Sequence, residues 1–202
     1  MAYSDFTLSK VKADFGLNIH ETLDLFPTIE AIAPSEILSL TLAETIPLVT
    51  AINTEKARSE LIIAPILLDV RRLLHYQISL FSGVDFIVAP EKGLNGFCDF
   101  ILSASTEQYF ISRPILTVVE AKNENIKSGL GQCTAEMVAA QIFNEQHSNE
   151  VKAIYGAVTT GSAWKFLKLE DKTIFLDLSD YYIKEVGKIL GILVATLQEI
   201  KN

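Results

Sequence analysis

The residues best suited to chemistry lie in Pro114-Ile115-Leu116-Thr117-Val118-Val119-Glu120-Ala121-Lys122-Asn123. An apolar strand ordinarily ends in polar turn residues, whereas this one ends in Glu-Ala-Lys. The two-residue alternation of a strand puts Glu120 and Lys122 on one face, roughly 6–7 Å apart. An acid and a base then share one side of a sheet edge. Asp99, separated from Glu120 by twenty residues, stands alone in Phe97-Cys98-Asp99-Phe100-Ile101-Leu102. A carboxylate flanked by Cys98, Phe100 and Ile101 is costly to bury without a partner. A divalent cation shared by Asp99 and Glu120 removes that cost. Because oxygen ligands sit about 2 Å from such an ion, the two carboxyls must lie within about 8 Å and face the same side.

These residues need elements to hold them. Asn53 or Thr54 can cap a helix that starts with acidic Glu55 and presents Leu61, Ile62, Leu68, Leu73 and Leu74, with Pro65 predicted to kink it. Strand character follows at Val84–Ala89, Cys98–Ser103 and Ile115–Glu120, separated by Pro90-Glu91-Lys92-Gly93 and Asn95-Gly96. The pattern then predicts a helix from Leu130 to Gln146, strands Ala153–Thr159, Trp164–Leu169 and Thr173–Leu178, and a helix over Asp180–Ile200. Residues 1–55 show helix-like apolar spacing punctuated by Pro27, Pro34 and Pro47. The fold expected is α/β, a central mixed sheet flanked by helices, with an acidic helical extension (1–54) packed on a main domain (55–202).

The spacing from Asp99 to Glu120-x-Lys122 resembles the PD-(D/E)XK nuclease superfamily, the fold of many restriction endonucleases. Other parts agree in order. Glu60, in Ala57-Arg58-Ser59-Glu60-Leu61-Ile62, is similar to the helical glutamate segment in the N-terminal nuclease domain of type I restriction subunits. Gln132 opens the helix after the Glu-x-Lys strand, and Gly156-Ala157-Val158-Thr159-Thr160-Gly161 with Trp164 and Phe166 is similar to those domains' later hairpin. Cys98 stands where the family usually has proline. The resemblance spans residues 55–180 and implies a restriction-endonuclease-like core hydrolysing phosphodiester bonds. Asp99, Glu120 and the main-chain carbonyl of Ala121 would hold Mg²⁺ or Mn²⁺. Lys122 would contact the attacking water or a phosphate oxygen, Glu60 a metal-bound water or a second ion, and Gln132 would position Lys122 or the phosphate. The implied partner is nucleic acid, with DNA favoured, and the chain would act as a homodimer or within a larger restriction or mobile-element complex.

Plainer readings stay open. Glu120 and Lys122 could be an ion pair at a sheet edge, Asp99 a turn cap after Asn95-Gly96, and Gln132 an ordinary helix residue. Glu60 could be an exposed carboxylate beside Lys56 or Arg58, with Glu55 competing as the helical acid. His20, His75 and His147 share no motif spacing. Cys98 and Cys133 read as small buried hydrophobes, Trp164 as core, and Arg71-Arg72 as a solvated helix face.

The composition bounds these readings. The chain has 202 residues, 49% apolar and 21% charged, which excludes disorder and calls for a buried core. Its net charge of −8 argues against coating nucleic acid or an anionic membrane through its overall field. Eight carboxylates against two lysines put −6 in residues 1–55, leaving 15 basic and 17 acidic groups beyond them. A bound divalent ion brings that remainder to about zero. Two cysteines without CxxC spacing indicate neither a zinc site nor a disulfide framework. Neither a secretory signal nor a membrane-length apolar run stands out, so a cytoplasmic location is expected. Two rivals keep the composition but drop the turnover: a catalytically silent nucleic-acid-binding or assembly subunit, and an interaction protein whose acidic N-terminal segment docks a basic partner.

Overall fold

The computed structural model describes residues 1–146 and 151–198. In chain order the elements are α1 (Leu8–Phe15), β1 (Asn18–Leu23), α2 (Glu36–Ile52), α3 (Glu55–Arg58), a π-helical stretch (Ser59–Ile63) and α4 (Ala64–Leu73). They continue as β2 (Ser79–Asp85), β3 (Phe97–Ser103), β4 (Ile115–Ala121), α5 (Ile126–Glu145), β5 (Ile154–Thr159), β6 (Ala163–Glu170), β7 (Thr173–Asp177), β8 (Tyr181–Tyr182) and α6 (Val186–Gln198). The strands form one mixed sheet in the order β1-β7-β6-β5-β4-β3-β2, with β8 pairing β6. With helices on both faces, this is an α/β architecture.

The site lies on β3, β4 and α5. β3 pairs antiparallel with β4, β4 runs parallel to β5, and α5 makes the crossover between those two. Every residue of β4 is buried, as an apolar strand covered on both faces requires. On one face Val119 and Ala121 join a core with Ile66 of α4 and Ile189 and Leu193 of α6. On the other face Val118 packs with Cys133 and Met137 of α5 and with Tyr3 and Phe6. Alternation therefore turns Glu120, two residues after Val118, toward α5.

The kink expected at Pro65 takes the form of the π-helical stretch. Proline has no N–H for the Leu61 carbonyl four residues back. The Thr45 hydroxyl of α2 donates to that carbonyl instead, at 2.8 Å.

The expectation of an all-helical preface is corrected at residues 18–23, which form β1 and pair in parallel with β7 at the sheet edge. Ile19 alone of these six residues packs on the core, too little apolar alternation to mark a strand in advance. The N-terminal segment is fastened to the rest by buried acids. Asp177 accepts the Leu25 N–H at 3.2 Å, and Asp69 accepts the Ser35 N–H at 3.0 Å. It also crosses α5 at Gly131, where an added Cβ would lie 2.3 Å from the Phe6 carbonyl oxygen.

Three other boundaries differ from expectation. Residues 86–89 leave the strand and fold back on Leu94 and Gly96, so β2 starts earlier, at Ser79. Helix α5 starts at Ile126, so Gln132 sits in its second turn and does not open it. Tyr181 and Tyr182 pair with Trp164 and Ala163, which delays α6 to Val186; expected helix positions 199–200 lie outside the described residues. Among the described residues, no helix is long and apolar enough to cross a membrane.

Candidate active site

The ladder between β3 and β4 brings the two carboxylates together. Pairs Phe100↔Val119 and Ile101↔Val118, continued one step, set Asp99 opposite Glu120. Opposed residues of antiparallel strands share a face, with Cβ atoms about 4.5–5.5 Å apart. The charge of Asp99 is felt at Glu120 across this pair. Asp99 Oδ2 accepts the Ala121 N–H at 2.8 Å, so its bond goes across the sheet and not to the turn at Asn95-Gly96.

Lys122 leaves β4 with its N–H donated to the Thr159 carbonyl at 2.8 Å. Its Nζ donates to Glu120 Oε1 at 2.5 Å and to Gln132 Oε1 at 3.5 Å. Gly129 of α5 leaves room for the lysine stem, since a Cβ there would stand 3.1 Å from both Cγ and Cε of Lys122. Lys122 has opposing influences. Burial lowers its pKa, but the charge and hydrogen bond of Glu120, with Glu55 and Asp99 behind, raise it overall.

Glu120 is 1% exposed and its Oε2 has no hydrogen-bond partner among the described residues. Burial, and then the charge of Asp99, push its carboxyl up to about 8 against the opposing pull of Lys122. A second such acid was absent from the sequence reading. Glu136 is fully buried on α5, one turn beyond Gln132. Its Oε1 accepts from Gln132 Nε2 at 3.1 Å, while its Oε2 has no partner among the described residues. Burial and the nearby Glu120 raise its pKa well above the ordinary carboxylate range. The signal was there: Thr134-Ala135-Glu136-Met137-Val138 isolates an acid among apolar residues much as the segment around Asp99 does.

Glu60 is not brought into this cluster. Its side chain is 58% exposed and pairs with Lys56 at 2.8 Å, one turn back on the solvent side. The helical acid whose field reaches Lys122 is Glu55, at the start of α3. Arg58 ties α3 to the rim of the site, donating to Asn123 Oδ1 at 3.1 Å, the Thr160 carbonyl at 2.9 Å and Asn53 Oδ1 at 2.8 Å.

The remaining candidates take structural places. Cys98 and Cys133 are fully buried, and burial pushes both thiols up, so they pack as neutral groups. Trp164 is core, with Nε1 donating to the Gly161 carbonyl at 3.3 Å. Arg71 Nε donates to the Ile78 carbonyl and Arg72 pairs with buried Asp69, so neither is merely solvated. His20 of edge strand β1 stacks on Phe175 of the neighbouring β7, His75 follows α4, and His147 lies outside the described residues.

Among the described residues, no three His, Cys, Asp or Glu side chains form a ready cage for a metal ion. The adjacent carboxyls of Asp99 and Glu120, one with a buried unpartnered oxygen, are nonetheless hard donors of the kind that hold Mg²⁺ while leaving most of its shell to water. Neither a family model, nor a curated protein, nor a solved structure matches the chain.

Proposed function

We propose that this protein is a metal-dependent nuclease of the PD-(D/E)XK type, with a restriction-endonuclease-like core, acting on phosphodiester bonds of nucleic acid, with DNA the favoured candidate. The observation that carries this reading is the meeting of Asp99 and Glu120 on one face, with Lys122 on Glu120 and one oxygen of Glu120 unpartnered. Asp99 and Glu120, joined by the main-chain carbonyl of Ala121, would hold Mg²⁺ or Mn²⁺. Bound there, the ion would supply Lewis acidity and a water of lowered pKa.

The chain's own residues do the rest. Ala121 N–H fixes the Asp99 carboxylate, and burial holds the Glu120 carboxyl toward its protonated form, so that it gives up its proton against a cation. Lys122, released from Glu120, presents an ammonium to a phosphate oxygen, where charge develops in the transition state. Gln132 steadies that ammonium from α5. Glu55, in place of Glu60, is the acid on the facing helix. The net charge of −8 favours the alternative of a catalytically silent subunit that relies on a partner for DNA contacts.

The test is purified protein with Mg²⁺ or Mn²⁺ on single-stranded, duplex and branched DNA, beside Glu120→Ala and Lys122→Ala. The nuclease reading expects cleavage by the wild type and its loss in both variants. Equal cleavage by all three marks a contaminant. A folded wild type that binds DNA without cutting it supports the silent subunit.

A further inference from the structure

We propose that Glu136 is a positioning residue that holds the Gln132 amide with its carbonyl oxygen turned toward Lys122. A glutamine amide can be reversed by a half-turn, and its two ends have opposite consequences here. With Oε1 toward Lys122, Gln132 accepts from the ammonium at 3.5 Å; reversed, it would set an NH₂ donor against three N–H donors. Glu136 decides between them. Its Oε1 accepts Gln132 Nε2 at 3.1 Å, and four-residue spacing on α5 keeps the two side chains neighbours without help from another element. Lys122 is thereby held between two acceptors, Glu120 Oε1 and Gln132 Oε1.

Packing alone gives no reason for an acid at position 136. The side chain is fully buried beside Ala135, Met137 and Val138, and its second oxygen has no partner, so an apolar residue of similar size would fill the place at lower cost. A carboxyl group has its role there by accepting from Gln132. The link runs Glu136 to Gln132 to Lys122 and touches neither substrate nor ion. The inference rests on the proposed nuclease reading only for the meaning of Lys122 in turnover; the positioning itself is a property of the ion-free chain.

The experiment is a double-mutant cycle on the full chain: Glu136→Leu, Gln132→Leu and both together, with Glu136→Gln as the conservative variant. One readout is the NMR signal of the Lys122 ε-methylene in ion-free protein, assigned by its loss in Lys122→Arg. The other is kcat and KM for Mn²⁺-dependent DNA cleavage. Glu136→Leu is expected to move the Lys122 signal as Gln132→Leu does, and the double variant to move it no further. Glu136→Gln, whose amide carbonyl still accepts from Gln132, is expected to retain the wild-type signal. The kcat should fall about tenfold in Glu136→Leu with little change in KM, and recover in Glu136→Gln. An unmoved Lys122 signal in folded Glu136→Leu, or additive shifts in the double variant, would overturn the proposal. Should Glu136→Leu fail to fold, a Gln132→Leu-like shift in Glu136→Gln overturns it equally. If the wild type cuts no DNA but the NMR cycle behaves as expected, the nuclease reading fails and the positioning role stands.

Discussion

Two kinds of buried carboxylate occur in this molecule, and the difference between them separates architecture from chemistry. Asp69 and Asp177 are buried with every oxygen occupied. Asp69 accepts from the Ser35 N–H and hydroxyl and from Arg72, and Asp177 from the Leu25 and Ser179 N–H groups and the Tyr181 hydroxyl. Each fastens the N-terminal segment to the sheet and helices. Glu120 and Glu136 are buried as deeply, yet each has one oxygen with no partner among the described residues, and each is pushed toward its neutral form. A complete set of donors makes an acid a structural clip. An incomplete one leaves it poised to take a proton or a cation.

The contrast predicts opposite outcomes for removing an acid of each kind. Glu120→Gln should lower Mn²⁺-dependent cleavage by about 10²–10³-fold while leaving thermal stability unchanged or raised, since a poorly partnered buried acid is removed. Asp177→Ala strips the acceptor from three donors and should cost about 2–4 kcal/mol in urea unfolding, with cleavage per folded molecule intact. If Glu120→Gln proves the more destabilising of the two, the division fails.

The pH response sharpens the same division. Glu120 titrates at about 8 in the folded chain against an ordinary 4.5, so between those values the folded protein keeps a proton that the unfolded chain has lost. The stabilisation from that group is complete below pH 4.5 and disappears as pH rises through 8. The upward shift of Glu136 acts in the same direction. The urea midpoint of ion-free protein should therefore fall from pH 5 toward pH 8, and Glu120→Gln should flatten the slope. Cation binding must displace the Glu120 proton, so Mn²⁺ affinity by titration calorimetry should rise with pH, approaching tenfold per unit below 8.

How much of this could be read in the sequence depended on the range of the interaction. The strand ending in Glu120-Ala121-Lys122 was legible because alternation is local, and Asp99 because a charge inside an apolar run stands out. Their meeting required a register between β3 and β4, which no local pattern encodes. Glu136 carried the same signal as Asp99 but sat on a helix, where one polar residue per turn is unremarkable and only the packing of α5 against β4 makes it buried. The early start of α5 was hidden because Gly129 and Gly131 weaken helix propensity; each is there for the close approach of Lys122 or Phe6. β1 was missed because an edge strand with a single inward apolar residue has almost no periodicity.

The smallest expected effect belongs to Glu60. Its exposed pair with Lys56 is screened by water, and Glu60→Gln should cleave DNA as the wild type does, whereas Glu55→Gln should not. A large loss in Glu60→Gln would return that residue to the site and displace Glu55.

The central claim is that Asp99 and Glu120 share a divalent cation. The most direct test is anomalous diffraction from crystals soaked in Mn²⁺ near pH 8, where Glu120 can give up its proton. The account predicts a manganese peak about 2.0–2.3 Å from an oxygen of each carboxylate, with Lys122 Nζ moved off Glu120. Millimolar Mn²⁺ that leaves no peak there, with Lys122 still bonded to Glu120, would contradict it.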